Sequence, residues 1–175
     1  MSNLSQQKVA FVGLGVMGFP MAGHLQQKGE QVCVFNRTQQ KAQDWVAQYG
    51  GAYASTPAEA ASGADLVMLC VGNDDDVRSV VYGEQGVLAA MQPGSLLIDH
   101  TTASADLARE LALACKKKGI GFLDAPVSGG QAGAVNGLLT IMLGGEAENQ
   151  FPKCQFVATS PPNILSLEKL SISNP

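Results

Sequence analysis

The chain has 175 residues, of which 46% are hydrophobic and only 15% charged, against a usual charged share of about 25%, so it suits one domain with a sizeable core. Its net charge of −4 excludes the basic surface that recruits nucleic acid or an anionic membrane. Its four cysteines are scattered, which predicts reduced thiols in a cytoplasmic protein. The start MSNLSQQK does not resemble a signal peptide, and no apolar run reaches the roughly 20 residues that span a bilayer, so we expect a soluble chain without membrane contact.

Short apolar runs alternate with helical patterns over most of the chain. The predicted strands are 9–14, 31–35, 52–54, 65–71, 95–99, 121–125 and 139–143, and the predicted helices are 16–28, 39–49, 57–61 with Thr56 as N-cap, 73–82 and 104–117. This order predicts an α/β fold: a doubly wound, mostly parallel sheet with helices on both faces. Ligands bind such sheets at the carboxyl ends of the strands.

Three glycines stand where the first strand gives way to the first helix. Gly13, Gly15 and Gly18 form a G-x-G-x-x-G pattern, in which the first glycine makes a tight turn, the second lets the backbone approach a pyrophosphate and the third permits close helix packing. The amides at the helix N-terminus favour a phosphate. The pattern therefore predicts a dinucleotide site, and a glycine-rich turn without a ligand is the alternative.

The end of the second strand bears on which dinucleotide binds. An acidic residue there binds the ribose hydroxyls of NAD, whereas this chain has Asn36, Arg37 and Thr38. A guanidinium and a hydroxyl can bind a 2′-phosphate, which an acid would repel. We therefore expect NADP to be preferred over NAD; Arg37 as an ordinary solvated arginine is the alternative.

Polar residues also follow the fourth and fifth strands. Asn73 or Asp74 is expected to cap a helix, because the consecutive side chains of Asp74–Asp76 diverge on a helix and do not suit one metal ion. We predict no metal site. Thr102 is a candidate for binding a carboxamide or substrate. His100 has no visible partner, so a structural role is favoured over acid–base catalysis.

The sixth strand is followed by Ser128, Gly129 and Gly130. The serine hydroxyl and the backbone amides of the glycines can converge on an anion such as a small carboxylate. A flexible serine–glycine loop is the alternative.

Four stretches of the chain carry a resemblance to a known family: FVGLGVMGFPMAGHL, VFNRT, IDHTTAS and FLDAPVSGGQAGAVNGLLTIMLGG. They resemble the β-hydroxyacid dehydrogenase family, which includes 3-hydroxyisobutyrate dehydrogenase and tartronate semialdehyde reductase. The resemblance implies an NADP-binding Rossmann domain over residues 1–148 and hydride transfer between the nicotinamide and a short β-hydroxyacid or its semialdehyde, of the tartronate or methylmalonate type. The cofactor contacts that it implies are Gly13, Leu14, Gly15, Val16, Met17, Gly18, Asn36, Arg37, Thr38, Val71, Gly72, Asp76 and Thr102. Ser128, Gly129 and Gly130 are implied to hold the substrate carboxylate.

The resemblance ends near Glu146. The family continues through an all-helical domain, which carries the catalytic lysine and forms the homo-oligomer, so we expect this domain to be missing and residues 149–175 to be an irregular tail. No catalytic residue is assigned, because Lys153 and Lys169 do not match the family's lysine motif. Two hypotheses stay open: an NADP-dependent oxidoreductase with little activity as this chain alone, or a non-catalytic NADP-binding module.

Overall fold

The computed structural model describes residues 6–145. The strands are β1 (Lys8–Val12), β2 (Gln31–Phe35), β3 (Ala52–Tyr53), β4 (Leu66–Leu69), β5 (Leu96–Asp99), β6 (Gly121–Asp124), β7 (Val127–Ser128) and β8 (Thr140–Ile141). The helices are α1 (Gly18–Gln27), α2 (Gln39–Tyr49), α3 (Pro57–Ala61), α4 (Asp74–Val81), α5 (Val87–Ala90), α6 (Ala105–Lys117) and α7 (Gly130–Asn136).

Six strands form one parallel sheet in the order β3-β2-β1-β4-β5-β6. The chain moves outward from β1 in one direction through β2 and β3, and then returns to pair β4 with the other side of β1. This is the strand order of a Rossmann fold, with its topological switch point between β1 and β4. The predicted fold class is confirmed.

The strands are apolar on both faces because both faces are covered by helices. Along β1, Val9 and Phe11 pack against one cluster of buried residues, which includes Trp45 of α2. Ala10 and Val12 point to the opposite cluster, which includes residues of α3, α4, α5 and α6. The period of two along the strand thus divides the interior into two cores.

Three helices begin at side-chain caps, and those of α3 and α4 were predicted from the sequence. The side-chain oxygens of Thr56, Asn73 and Ser104 accept hydrogen bonds from the backbone N–H groups of Glu59, Asp76 and Leu107, at 3.1, 2.9 and 3.1 Å. Each cap satisfies one of the amides that has no partner within its helix. The capping role predicted for the start of α4 is confirmed, with Asn73 as the cap.

The predictions after β6 need correction. The stretch 139–143 contributes only β8, which pairs antiparallel with β7 and lies outside the six-stranded sheet. Ser128 is the last residue of β7 and Gly130 is the first residue of α7, with Gly129 between them. Local sequence did not reveal these elements, because glycine-rich α7 has weak helix propensity and the β7–β8 pairing joins distant residues. The short helix α5 was also not predicted.

The predicted tail, residues 149–175, lies outside the described residues. Within residues 6–145, no helix has both the length and the apolar character needed to cross a bilayer.

Candidate functional site

A crevice of about 410 Å³ opens at the carboxyl ends of β1, β2 and β4, beside the switch point of the sheet. All the predicted cofactor-binding residues except Thr102 line it. They are Gly13, Leu14, Gly15, Val16, Met17, Gly18, Asn36, Arg37, Thr38, Val71, Gly72 and Asp76. The structure therefore brings together residues that come from three separate strand-to-helix connections.

The three glycines between β1 and the first residue of α1 differ in how closely they are packed. Gly13 has a φ of +99°, and a Cβ atom there would collide with the backbone carbonyl of Cys70. A Cβ atom on Gly18 would collide with the carbonyl oxygen of Gly13. At Gly15, by contrast, nothing lies within 4 Å of the Cβ position. Gly13 and Gly18 are thus required by the fold, whereas Gly15 leaves open space above the backbone.

The connection from β1 to α1 presents hydrogen-bond donors. Within residues 6–145, the backbone N–H groups of Gly15, Val16 and Met17 have no acceptor, and Met17 provides no side-chain cap to α1. Unpaired amides and the positive end of the helix dipole favour an anion at this place. The geometry is therefore suited to a phosphate group.

Asn36 at the end of β2 braces this connection. Its Oδ1 atom accepts a hydrogen bond from the backbone N–H of Leu14 at 2.9 Å, and its Nδ2 atom donates to the carbonyl oxygen of Thr38 at 3.0 Å. The side-chain amide is therefore engaged within the protein. Nothing in the sequence indicated this role, because the two ends of the Leu14 bond lie 22 residues apart.

Two cations lie on the β2 side of the crevice. The side chain of Arg37 is 90% exposed, and its Nη1 atom lies 3.6 Å from Oδ1 of Asp76 across the opening. Lys41 in the first turn of α2 also lines the crevice. Lys41 was not predicted from the sequence, although its position close after Arg37 and at the start of a predicted helix was a usable signal.

A chain of hydrogen bonds supports the β4 side of the crevice. The backbone N–H of Val71 donates to Oγ1 of Thr101 at 3.1 Å, and the N–H of Thr101 donates to Oδ1 of buried Asp99 at 2.9 Å. Burial raises the pKa of Asp99 to about 6. Thr101 thus holds the edge of the crevice, while Thr102, the predicted residue, is exposed and does not line it.

The side chain of His100 is buried and does not line the crevice. Its Nδ1 atom lies 2.8 Å from the carbonyl oxygen of Ala125, to which the ring can donate a hydrogen bond. Burial lowers the pKa of His100 to about 4, so the ring is neutral at pH 7. The burial and this contact support the structural role favoured from the sequence, since His100 joins the end of β5 to the residue that follows β6.

The three aspartates at the start of α4 have separate partners. Asp74 accepts hydrogen bonds from Ser104, Asp75 lies 3.7 Å from Arg78, and Asp76 faces Arg37. Within the described residues, no group of three metal-ligating side chains is placed to hold an ion.

Ser128, Gly129 and Gly130 do not line the crevice. They lead into α7, and the Nε2 atom of His24 on α1 joins this helix through the carbonyl oxygens of Ala134 and Val135, at 2.9 and 3.1 Å. All three residues are exposed, and the φ angles of Gly129 and Gly130, +134° and +61°, suit glycine. They therefore lie on an element that packs beside α1, outside the crevice.

Residues 8–158 match the family model described as the NAD binding domain of 6-phosphogluconate dehydrogenase. The chain belongs to this family. This NAD-binding domain is 63% identical over 139 residues to an uncharacterized oxidoreductase of Shewanella frigidimarina. The match covers 79% of this chain and 48% of that protein. It is 39% identical over 142 residues to the NAD-dependent L-serine dehydrogenase of Pseudomonas aeruginosa, covering 81% of this chain and 47% of that protein.

Among solved structures, the 3-hydroxyisobutyrate dehydrogenase of Mycobacterium tuberculosis with L-serine superposes with a TM-score of 0.82 at 33% identity, over 91% of this chain and 54% of that one. The NAD-binding domain thus has homologues that resemble 3-hydroxyisobutyrate dehydrogenase. It spans about half the length of the curated relatives that it matches.

Proposed function

We propose that this domain binds NADP(H) in the crevice above β1 and serves an oxidoreductase that transfers hydride between the nicotinamide and a short β-hydroxyacid or its semialdehyde. The observation that carries the proposal is the pairing of unengaged amides at Gly15, Val16 and Met17 with open space above Gly15. This combination accommodates a pyrophosphate, because the residues that carry the unengaged donors line the same crevice as the open space above Gly15.

The proposed preference for NADP rests on charge at the end of β2. Arg37 and Lys41 place two cations beside the crevice, and Asn36 stands where an NAD site has an acid. A 2′-phosphate gains charge-assisted hydrogen bonds from a guanidinium that is already solvent-accessible. Because a relative at 39% identity is named as NAD-dependent, the local residues rather than the family support the preference.

For the substrate, we propose a small carboxylate held by Ser128, Gly129 and Gly130, with Thr102 contacting the nicotinamide end of the cofactor. The exposed hydroxyl of Ser128 and the exposed backbone of the two glycines support this role. The substrate is proposed to be a semialdehyde of the tartronate or methylmalonate type.

When bound, the nicotinamide supplies the hydride, and this domain holds and orients it. Among the described residues, no exposed acid–base group is assigned to the carbonyl proton, and His100 is buried and neutral. Such a group contributes about 10²- to 10⁴-fold to a rate. We therefore propose that this chain by itself turns over slowly, with the alternative that it acts as an NADP-binding module.

Calorimetric titration of the 175-residue chain tests the proposal. We expect NADP⁺ to bind more tightly than NAD⁺, and we expect Arg37→Gln to weaken NADP⁺ binding roughly tenfold with little effect on NAD⁺. Arg109→Gln is the matched control, because Arg109 is exposed and, among residues 6–145, its ion pair is with Asp106 on the same helix, away from the crevice. Absence of binding to either cofactor would refute the proposal.

We also propose that the protein works in the cytoplasm as a homo-oligomer built through the helical half of the family. The described cysteines, Cys33, Cys70 and Cys115, are free thiols, which suits a reducing compartment. Sedimentation of this chain is expected to give a monomer, and a stable dimer would contradict the proposed role of the helical half.

A further inference from the structure

Arg37 faces a carboxylate across the opening of the crevice. Its Nη1 atom lies 3.6 Å from Oδ1 of Asp76, and both side chains line the same cavity. Asp76 is 33% exposed, against 90% for Arg37. A cation expected to bind a 2′-phosphate is therefore already engaged by an anion of the protein.

The helix that carries Asp76 is held firmly to its neighbour. Asp74 accepts hydrogen bonds from both the backbone N–H and the hydroxyl of Ser104, and Arg78 binds Glu110 through two nitrogens, with the Nη2–Oε2 distance at 2.8 Å. These contacts tie α4 to the start and middle of α6. The carboxylate of Asp76 thus stands on an anchored element, whereas Arg37 is a long side chain in solvent.

We propose that Asp76 is a specificity-determining residue that reduces the discrimination between NADP and NAD. This inference rests on the proposed function of the crevice. Asp76 competes with the 2′-phosphate for Arg37 and repels that phosphate directly. A cofactor with a free 2′-hydroxyl meets neither effect. The wild-type site therefore accepts both cofactors. Asp76 makes its preference for NADP smaller than the preference that Arg37 and Lys41 alone would give.

The charge balance gives the direction of the effect. Removing Asp76 removes one negative charge and releases Arg37, so affinity for NADP rises. Pairs this exposed contribute modestly, and we expect the gain for NADP⁺ to be roughly two- to fivefold at low ionic strength, falling in 0.5 M salt because exposed charges are screened. The affinity for NAD⁺ is expected to stay within about twofold.

Asp76→Asn tests the inference, with Asp75→Asn as the matched control. Both aspartates lie in the first turn of α4, but Asp75 is 98% exposed, faces Arg78 and does not line the crevice. Affinities for NADP⁺ and NAD⁺ are measured by calorimetry on the 175-residue chain. We expect Asp76→Asn to raise the NADP⁺/NAD⁺ affinity ratio, Asp75→Asn to leave it unchanged, and the gain to be smaller in the Arg37→Gln background, where only the direct repulsion by Asp76 is removed.

Different results would overturn the proposed role of Asp76 and the proposed function of the crevice. If NADP⁺ binds in an Arg37-dependent way but Asp76→Asn leaves the ratio unchanged, or Asp75→Asn raises it equally, only the inference is overturned. If the wild type binds neither cofactor, the proposed function falls, and the inference falls with it. Asp76→Ser serves as a second variant, because the cap from Asn73 binds the backbone of residue 76 and does not need its side chain.

Discussion

The side-chain oxygen of Asn36 accepts a hydrogen bond from the backbone N–H of Leu14 at 2.9 Å. This bond joins the end of β2 to the glycine-rich connection that opens α1. It also removes Leu14 from the set of amides free to meet a ligand and leaves those of Gly15, Val16 and Met17. Asn36 is therefore both a brace for the crevice and a neutral residue beside the expected 2′-phosphate.

Asn36→Asp separates these two roles. The variant keeps an oxygen for the Leu14 amide, loses the donor to the carbonyl oxygen of Thr38 and adds a negative charge. We expect NADP⁺ affinity to fall roughly tenfold while NAD⁺ affinity changes much less. Titration calorimetry measures both. Asn136→Asp adds the same charge at the exposed end of α7 and is expected to change neither affinity. An equal loss for both cofactors would mean that the variant disturbs the loop rather than the phosphate.

Substitutions at the glycines should separate folding from binding. Gly15→Ala has free space for its methyl group, so we expect a normal melting temperature but at least tenfold weaker NADP⁺ binding, because the methyl group occupies the approach of the pyrophosphate. Gly144→Ala, where the nearest atom to the added Cβ is 3.8 Å away, is the control and should change neither property. Wild-type affinity in Gly15→Ala would place the ligand elsewhere.

Gly18→Ala should behave in the opposite way. Its methyl group would collide with the carbonyl oxygen of Gly13, so we expect a loss of about 1–3 kcal/mol in the free energy of unfolding. Urea denaturation measures this loss. A fully stable Gly18→Ala variant would show that α1 is free to move away from the glycine connection.

Two adjacent buried groups give opposite contributions to stability as pH changes. Burial raises the pKa of Asp99 from 3.8 to about 6, so its contribution to stability is present at low pH and is lost as pH rises through 6. Burial lowers the pKa of His100 from 6.5 to about 4, so its contribution is complete above pH 6.5 and is lost as pH falls toward 4. Between pH 7 and 5 the two trends largely cancel.

Single substitutions should reveal each trend. Relative to wild type, His100→Asn should gain about 1–2 kcal/mol of stability when the pH is lowered from 7 to 5, and Asp99→Asn should lose a similar amount. Urea denaturation of the three proteins at both pH values gives these differences. Parallel pH profiles for all three would contradict the buried, shifted titration of both side chains.

The sequence was sufficient for the parts of the site that depend on local pattern. The glycine spacing, the alternation of strands and helices, and the Asn73 cap all follow from residues close together in the chain. The support residues were not predictable in this way. Asn36 holds Leu14, and Thr101 rather than Thr102 holds Val71, only because β1, β2, β4 and β5 end side by side. The β7–β8 pair likewise depends on contacts between distant residues.

We propose that the phosphates of NADP bind the backbone amides of the connection between β1 and α1. The most direct measurement is an amide NMR titration of the ¹⁵N-labelled chain with NADP⁺ and with NAD⁺. We predict large shifts at Gly15, Val16 and Met17 with both cofactors, and shifts at Arg37, Thr38 and Lys41 that are larger with NADP⁺. Unmoved amides at Gly15–Met17, with the shifts concentrated at the amino ends of β2 and β3 near Gln31 and Gly51, would show that the cofactors bind elsewhere.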